Sequence, residues 1–407
     1  MRAAVVACLA LVLASGASAA VTRVDRYGTV VLDGRKTFPI VLAKGPPADG
    51  LREVASAGVN FVKTGPGNGH WTDADIEETI GWNRAAAAAG MHTWINLSSL
   101  SRARPGGWQE ESLRHVVGSL KADSSASAIG MWKGADEPWR FRVRPSALRF
   151  TYCLVTGRRE RRWCAGRLPI DRDHLWVTVQ APRAGVWSLA SYSEVTDVHG
   201  VNHYPIAIGD PDPKLGEVGS WTNVLRMATP NRAVWTTLQI CWSWSYDAAG
   251  NIALPSFEQE RFMVYDAILN GARALAFYGG QNPKCWGALD AAGGWNWTFW
   301  DRVLEPLVRE IGAGSPIAAA LVSPGSTRVL PTSDRTVQAI SRRGRGGETW
   351  VIATRTGEGS QAVTIGGLPA AAAGASVYTE DRSVPVVGGS LTDTFDRFAV
   401  HVYRLRN

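Results

Sequence analysis

Eight short apolar segments alternate with segments of helical periodicity between residues 36 and 280, and this order constrains the fold more than any other feature. The strand-like segments are Phe38–Ala43, Val59–Thr64, His92–Leu97, Ile129–Gly134, Leu175–Gln180, Asp197–His203, Ala233–Ile240 and Ala274–Tyr278. Strict alternation predicts parallel strands joined by helical crossovers, an α/β fold. Eight units predict a closed (β/α)8 barrel. An open doubly wound sheet fits less well, because no glycine-rich phosphate loop follows the first strand.

Helix signals separate these strands. The predicted helices include Asp49–Ala57, Asp73–Ala89, Glu110–Lys121 and Ser256–Asn270. The last begins with a capping box, because Ser256 can cap the helix while Gln259 reaches back to it.

The pattern divides the chain into three parts. Residues 1–19 are predicted to be a signal peptide, residues 20–315 the barrel and residues 322–407 a small antiparallel β-sandwich. A hairpin-like lead-in, Val24–Arg35, precedes the first barrel strand. The predicted sandwich strands are Val337–Ser341, Thr349–Thr354, Gln361–Gly366, Ala375–Tyr378 and Phe398–Leu405. Short strands between glycine-rich turns are typical of a sandwich.

The first residues resemble an export signal. Arg2 provides a basic start, Ala3–Ala14 an apolar stretch too short to span a bilayer, and Ala17-Ser18-Ala19 a cleavage site. Cys8 belongs to this discarded segment. No later stretch is long and apolar enough to span a membrane. The mature protein is therefore expected to be secreted or extracytoplasmic.

Four cysteines remain in the mature chain, and an even number in an exported protein favours disulfides. Three pairings are possible. We favour Cys153–Cys164, which closes a local loop, and Cys241–Cys285, because these residues follow two successive predicted strands. Paired metal-ligand motifs are absent, so we expect no metal site.

The formal charge of +7 comes from arginine clusters at residues 158–162 and 342–345. Such clusters are typical of solvated loops. Nucleic acid is not expected as a partner, because no binding motif accompanies the charge. Attraction to an acidic cell surface or an anionic glycan stays open. No cofactor is implied, and the sequence does not indicate an oligomeric state.

Tryptophan is unusually frequent, with 18 residues against 10 Phe and 9 Tyr. Several occur in predicted loops: Trp71, Trp139, Trp242, Trp244, Trp286, Trp295 and Trp297. Indole rings stack on the apolar faces of sugars and their N–H groups bond hydroxyls. The location in loops favours carbohydrate binding over a purely structural role.

The fourth predicted strand runs directly into Asp136-Glu137-Pro138. Proline ends the strand because it lacks an N–H group. The two carboxylates therefore lie at the carboxyl end of the barrel, where catalytic residues occur in this architecture. Glu137 is suited to be a general acid. The alternative is a structural role, as a helix cap or in an ion pair with Lys133 or Arg140.

The other strand ends are mostly polar, rich in amides and aromatic. They are Lys44, Lys63, Asn96, Gln180, His203, Tyr204, Gln239, Trp242, Tyr278 and Gln281. Buried hydroxyl groups of a ligand need such donors and acceptors. Clustered ligands for phosphate or a divalent metal are not evident.

Asp136-Glu137-Pro138 resembles the Asn-Glu-Pro signature of the clan A (β/α)8 glycoside hydrolases. The resemblance extends to the sixth strand, Asp197-Val198-His199-Gly200-Val201-Asn202-His203-Tyr204-Pro205, to the seventh, Ala233–Gln239, and to the eighth, Gly271–Tyr278. It implies that Glu137 is the acid/base, that the residue before it hydrogen-bonds the sugar, and that a β-sandwich follows the barrel.

Two positions depart from the family pattern. Gln239 lies where the family has its nucleophilic carboxylate, and an amide cannot form a glycosyl ester. Position 136 is Asp where Asn is usual. A second carboxylate could be Asp210, Asp212, Glu217 or Asp247, at the wider spacing of an inverting enzyme. Alternatively, Asp136 and Glu137 form a coupled pair, or the barrel binds a glycan without cleaving it.

The sequence thus predicts an exported glycoside hydrolase-like protein in which Glu137 protonates the leaving oxygen and Asp136 orients the sugar or shares the proton. The alternative is a glycan-binding or cell-surface protein on the same fold. The expected carbohydrate contacts are Lys63, Asn96, Trp139, His203, Tyr204, Gln239, Trp242, Tyr278 and Trp286.

Overall fold

The computed structural model describes residues 20–67, 69–157, 164, 169–230 and 232–406. The predicted signal peptide and the arginine-rich run at 158–162 lie outside the described residues. Within the described residues, no helix combines the length and the apolar character needed to cross a membrane.

Eight parallel strands close into a barrel, as predicted. They are β4 (Ile40–Ala43), β5 (Phe61–Thr64), β6 (His92–Asn96), β7 (Ile129–Asp136), β8 (Leu175–Gln180), β9 (Val198–Asn202), β10 (Ala233–Gln239) and β11 (Ala274–Tyr278). Each strand pairs with its neighbours in chain order, and β11 closes the barrel on β4. All eight observed strands begin and end within two residues of their predicted bounds. Strand β7 continues two residues beyond its predicted end, to Asp136, so that Glu137 follows the strand directly.

The helices are α1 (Leu51–Ala57), α2 (Asp73–Ala88), α3 (Trp108–Ala122), α4 (Pro145–Thr156), α5 (Val186–Ala190), α6 (Glu217–Ala228), α7 (Phe257–Leu269), α8 (Ala288–Gly293), α9 (Trp297–Phe299), α10 (Glu305–Ile311) and α11 (Ala318–Leu321). The capping box of α7 is present, because the Gln259 N–H donates to Ser256 Oγ at 3.2 Å and the Ser256 N–H donates to Gln259 Oε1 at 2.9 Å. These helices cover the outside of the barrel.

The barrel interior is an apolar core whose large side chains include Phe61, Trp94 and Trp235. A small antiparallel sheet covers its amino-terminal end, formed by β1 (Thr22–Val24), β2 (Val30–Leu32) and β3 (Arg35–Thr37). Val30 packs into the core, and Thr22 Oγ1 donates to the Gly130 carbonyl at 2.7 Å. The predicted lead-in hairpin is therefore a lid on the closed end, so the carboxyl end is where a ligand can enter.

The carboxyl-terminal region has the predicted β-sandwich character. Its strands are β12 (Arg328–Val329), β13 (Val337–Arg343), β14 (Thr349–Arg355), β15 (Gln361–Ile365), β16 (Gly374–Val377), β17 (Arg382–Pro385), β18 (Leu391–Phe395) and β19 (Val400–Arg406). A six-stranded sheet, in the order β12-β13-β14-β19-β16-β17, faces the pair β15-β18 across an apolar core. Strands β12, β17 and β18, which are short and partly exposed, were not predicted from the sequence.

The outer face of the six-stranded sheet packs on α7 of the barrel. Arg261 on α7 forms a salt bridge with Glu310 at 2.9 Å and donates to the Val400 carbonyl. Arg342 also enters this interface, where it is buried and donates to the Ile268 carbonyl at 3.2 Å. The prediction that the cluster at 342–345 is a solvated loop is therefore wrong for Arg342, which belongs to β13 and satisfies a helix carbonyl.

Candidate active site

A cavity of about 800 Å³ opens at the carboxyl end of the barrel, and we call it the site cavity. It combines aromatic, hydroxyl, amide and charged groups. The side chains that line it and can contact a ligand are Lys63, Trp94, Ser98, Ser99, Ser101, Arg102, Lys133, Asp136, Glu137, Phe141, Asn202, Tyr204, Thr237, Trp242, Ser243 and Tyr278. Six of the predicted site residues are therefore brought together here: Lys63, Asp136, Glu137, Tyr204, Trp242 and Tyr278.

The backbone of Glu137 has an unusual conformation. Its φ angle is +45°, a left-handed value that few residues other than glycine adopt. The pairing of β7 with β8 shifts register between Lys133 and Asp136, and the Glu137 N–H donates to the Val179 carbonyl at 2.7 Å. Strained residues of this kind persist where the surrounding structure holds them, and they concentrate at functional sites.

Both carboxylate oxygens of Glu137 accept hydrogen bonds. Arg140 Nη1 donates to Oε2 at 2.7 Å, and Asn202 Nδ2 donates to Oε1 at 3.2 Å. The Glu137 side chain is only 16% exposed. The carboxylate is thus oriented by one group in the turn after β7 and by another at the end of β9. The ion pair with Arg140 is one of the structural roles for Glu137 that were anticipated from the sequence. Glu137 forms this ion pair and also lines the cavity.

Asp136 has a different environment from its neighbour. Its side chain is half exposed and lies 3.0 Å from Nζ of Lys133, which is itself buried. A second lysine, Lys63, lies nearby without a salt bridge to any described residue. Burial, together with the charge of Lys133, lowers the pKa of Lys63 to about 7, whereas Asp136 opposes this shift.

Three aromatic rings form one side of the cavity, and we call them the aromatic wall: Tyr204, Trp242 and Tyr278. The rings of Tyr204 and Tyr278 stack at 5.7 Å, and Tyr204 lies 5.6 Å from Trp242. Burial raises the pKa of Tyr204 well above its usual value, and the nearby Tyr278 and the two carboxylates add to this effect. The Tyr204 hydroxyl therefore stays a hydrogen-bond donor beside the acids.

The loops that carry the wall are held together behind it. Cys241 and Cys285 form a disulfide, as favoured from the sequence, and so do Cys153 and Cys164. Gly279 allows its own loop to approach the loop of Cys241 closely, because its φ is +111° and a Cβ atom there would lie 1.8 Å from the Cys241 carbonyl oxygen. This arrangement fixes Trp242 and Tyr278 relative to the barrel.

Two amides expected to bind sugar are used inside the protein. Gln239 is fully buried, where it accepts from the Ile206 N–H at 2.8 Å and donates to the Ile206 carbonyl at 2.9 Å. Asn96 donates to the carbonyls of Pro66 and Gly67. Both side chains shape the loops around the cavity, and neither lines it.

Three further predicted contacts also lie outside the cavity lining. His203 is buried against Glu217, with 3.3 Å between Nε2 and Oε2, and burial lowers its pKa to about 4. Trp139 packs between two apolar clusters of the barrel helices. Trp286 donates its Nε1–H to the Gly280 carbonyl at 2.8 Å. These rings support the loops, so any effect on a ligand would be indirect.

The four candidates for a second carboxylate do not line the cavity. Asp212 pairs with Arg397 and Lys214, and Asp210 accepts from the Asp212 N–H. Asp247 closes its own turn, and Glu217 lies at the start of α6. Asp136 and Glu137 are therefore the two carboxylates among the described residues that line the cavity. No group of three or more His, Cys, Asp or Glu side chains in the described ranges is arranged to hold a metal ion.

Several lining residues were missed from the sequence. Asn202 and Thr237 lie opposite each other on β9 and β10. Asn202 immediately precedes the predicted site residue His203, and Thr237 lies two positions before the predicted site residue Gln239. Alternation of side chains along a strand provides the signal that finds Thr237, since Trp235 two residues earlier faces the interior. Arg102 and Phe141 come from loops, where no periodicity indicates direction.

Comparison with known proteins places the chain by its fold. No protein-family model matches the sequence, and no curated protein matches it significantly. The structure is similar to a family 5 glycoside hydrolase from Bacteroides vulgatus, with a TM-score of 0.58, 13% identity and coverage of 95% of this chain and 94% of that chain. It is also similar to a GH27 β-L-arabinopyranosidase from Geobacillus stearothermophilus, with a TM-score of 0.55, 10% identity and coverage of 91% of this chain and 96% of that chain. A third similar structure is an α-amylase from Geobacillus thermoleovorans complexed with acarbose, with a TM-score of 0.54, 12% identity and coverage of 88% of this chain and 91% of that chain. The chain therefore has the fold of the (β/α)8 glycoside hydrolases, as the resemblance predicts.

Proposed function

We propose that the protein is an exported glycoside hydrolase that binds a carbohydrate in the site cavity and cleaves a glycosidic bond there. Glu137 is the general acid. The observation that carries this proposal is its position, on a strained turn at the end of β7, in the wall of a cavity shared with three aromatic rings. The two disulfides support an oxidising compartment.

The chemistry divides between the two sides of the cavity. The aromatic wall offers flat apolar surfaces and hydroxyl groups to a sugar ring. Glu137 protonates the leaving oxygen while Arg140 and Asn202 hold its orientation. Hydrolysis with two carboxylates uses Asp136 as the partner of Glu137, because it is the other carboxylate among the described lining residues. Lys133 orients Asp136 through the contact of 3.0 Å.

A second candidate function is glycan binding without cleavage. Gln239 favours it, because an amide at the end of β10 is committed to the Ile206 backbone and cannot act as a nucleophile. The same cavity would then hold a sugar with no reaction following. The two functions make opposite predictions for turnover and the same prediction for binding.

The experiment measures binding and product formation on a panel of polysaccharides, with the anomer of any product read by NMR. Three proteins are compared: the wild type, Glu137→Gln and Glu217→Gln. The first variant is nearly isosteric, so it should lose turnover by at least a thousandfold and keep glycan binding. The second removes a carboxylate outside the cavity and should behave as the wild type.

Each result has one interpretation. Turnover by the wild type that survives Glu137→Gln contradicts the acid assignment. Binding by the wild type without turnover on any member of the panel supports the second candidate function. A loss of turnover in Glu217→Gln, with folding intact, would transfer the second carboxylate to that position.

A further inference from the structure

A second cavity, of about 880 Å³, lies beside the site cavity. Residues 102–109, before and at the start of α3, form one side of it, and residues 141–150, before and within α4, form the other. The two cavities share Arg102, Phe141 and Val143 in their linings. A polymer bound in the site cavity can therefore continue into this second cavity, which we call the arginine groove.

The arginine groove carries positive charge without compensation. Arg102, Arg104, Arg142 and Arg144 line it and are all exposed. None of the four forms a salt bridge with a described carboxylate, and no Asp or Glu belongs to the lining. The neighbouring Glu110 on α3 is engaged by Arg114 at 2.8 Å. Four guanidinium groups on one surface attract a polyanion.

Aromatic rings accompany the charges. Trp108 is 51% exposed and Phe141 is 64% exposed, and both rings line the groove. Rings of this kind offer a surface to the apolar face of a sugar unit. The planar guanidinium group bonds carboxylate and sulfate oxygens in pairs. The combination of aromatic rings and guanidinium groups suits an anionic polymer built of sugar rings.

The site cavity also contains a cation that an acidic sugar could contact. Lys133 is buried and paired with Asp136, whereas Lys63 is half-buried in the cavity lining and has no carboxylate within salt-bridge distance among the described residues. An acidic group on the bound sugar would supply the missing partner. The charge of this lysine also responds to its surroundings, because burial and Lys133 lower its pKa to about 7.

We propose that the ligand is an anionic polysaccharide, bearing carboxylate or sulfate groups, which occupies the site cavity and extends through the arginine groove. This inference rests on the proposed function, since it requires that the site cavity binds carbohydrate. Arg102 joins the two sections, and the arginines beyond it hold successive acidic units.

The experiment compares the wild type with a double variant, Arg104→Ser and Arg144→Ser. Arg144 is the N-cap of α4 and its side chain makes no cap hydrogen bond, so serine at this position is compatible with the helix. The control variant, Arg335→Ser with Arg345→Ser, removes two exposed arginines from the carboxyl-terminal region and changes net charge equally. Affinities are measured for a neutral glucan, polygalacturonate, chondroitin sulfate and single-stranded DNA at two salt concentrations.

We expect at least one of the two anionic polysaccharides to bind at least tenfold more tightly than the neutral glucan, and the preferred probe distinguishes carboxylate from sulfate recognition. The groove variant should lose at least tenfold in that affinity, whereas the control should stay within twofold of the wild type. Equal affinity for DNA would overturn the proposal, because charge alone would then suffice. Tight binding of the neutral glucan, unchanged in the groove variant, would overturn it and leave the proposed function intact. If neither anionic polysaccharide binds, the proposal is overturned, whereas the proposed function is decided by the wider polysaccharide panel described above.

Discussion

Arg140 Nη1 lies 2.7 Å from Oε2 of Glu137, three residues earlier in the chain. The turn between them makes this contact possible. It begins at the left-handed Glu137, and the Phe141 N–H donates to the Glu137 carbonyl while the Val143 N–H donates to the Pro138 carbonyl. The backbone strain at Glu137 thus brings a cation to the carboxylate and directs the following loop toward the arginine groove.

The first prediction concerns this ion pair. Arg140→Met should reduce turnover by roughly tenfold, because about 1.4 kcal/mol of positioning is lost when the carboxylate can rotate. The stability of the protein should change by less than about 1 kcal/mol, since the Arg140 side chain is half exposed. The measurements are kcat, KM and the free energy of unfolding. Arg140→Lys should restore part of the activity.

A matched control removes a comparable pair elsewhere. Arg309 contacts Glu305 at 2.7 Å on the exposed face of α10, far along the chain from the cavity residues. Arg309→Met should alter stability by a similar small amount and leave turnover unchanged. Equal turnover in Arg140→Met and the wild type would show that Arg140 does not position the acid.

The second prediction concerns the aromatic wall. Trp242→Ala should raise KM by about three- to tenfold with a smaller effect on kcat, because ring stacking of this kind contributes about 0.5–1.5 kcal/mol. The control is Trp187→Ala, which should leave KM unchanged because Trp187 is 93% exposed and does not line the cavity. Kinetics on the substrate identified by the panel check this prediction. A KM that does not move in Trp242→Ala would remove this ring from the sugar contacts.

Most of the barrel could be predicted from the sequence because its signals are local. Alternating apolar strands and helices carry their own period, and Leu175–Gln180 and Ala274–Tyr278 were predicted with the observed bounds. The short edge strands of the carboxyl-terminal region were missed. Arg382–Pro385, for example, contains a proline and alternates exposure weakly, so no strong pattern marks it.

The site was harder to predict because strand-end position does not determine side-chain direction. Gln239 and His203 lie at strand ends as expected, yet Gln239 turns to the Ile206 backbone and His203 to Glu217. Those partners lie in other parts of the chain, and only the folded structure brings them together. The ion pair of Glu137 with Arg140, by contrast, was one of the alternatives anticipated from the sequence. The positive φ angle of Glu137, at the start of the turn that joins the two residues, was not revealed by the sequence.

The third prediction compares the two disulfides. The Cys241–Cys285 bond spans 44 residues and the Cys153–Cys164 bond spans 11. Loop-closure entropy gives contributions of about 4 and about 3 kcal/mol to the free energy of unfolding. Replacing the two cysteines of one bond by alanine should therefore destabilise the protein more for Cys241–Cys285 than for Cys153–Cys164. The variant that lacks Cys241–Cys285 has the longer loop. KM should rise only in that variant, because its loops carry Trp242 and Tyr278. Urea unfolding and steady-state kinetics test both statements, and an equal rise in KM for the two variants would contradict the second.

The last prediction is a pH dependence set by Asp266. This residue is buried on α7, where it accepts from the Gly219 N–H at 2.8 Å and from Asn270 Nδ2 at 3.1 Å. Burial raises its pKa to about 7, whereas the unfolded chain has a value of about 3.9. Between these values the folded state holds the extra proton, so the free energy of unfolding falls as pH rises and levels off above about pH 7.

Asp266→Asn removes this contribution, because the amide resembles the protonated acid and does not titrate. The stability of the variant relative to the wild type should therefore increase from pH 4 to pH 7 and stay constant above that range. Urea unfolding at pH 5, 6, 7 and 8 measures the difference. Glu78→Gln, at an exposed position of α2, should give a difference that stays small throughout. A difference for Asp266→Asn that is flat across these pH values would mean that Asp266 is ionised in the folded protein at all of them.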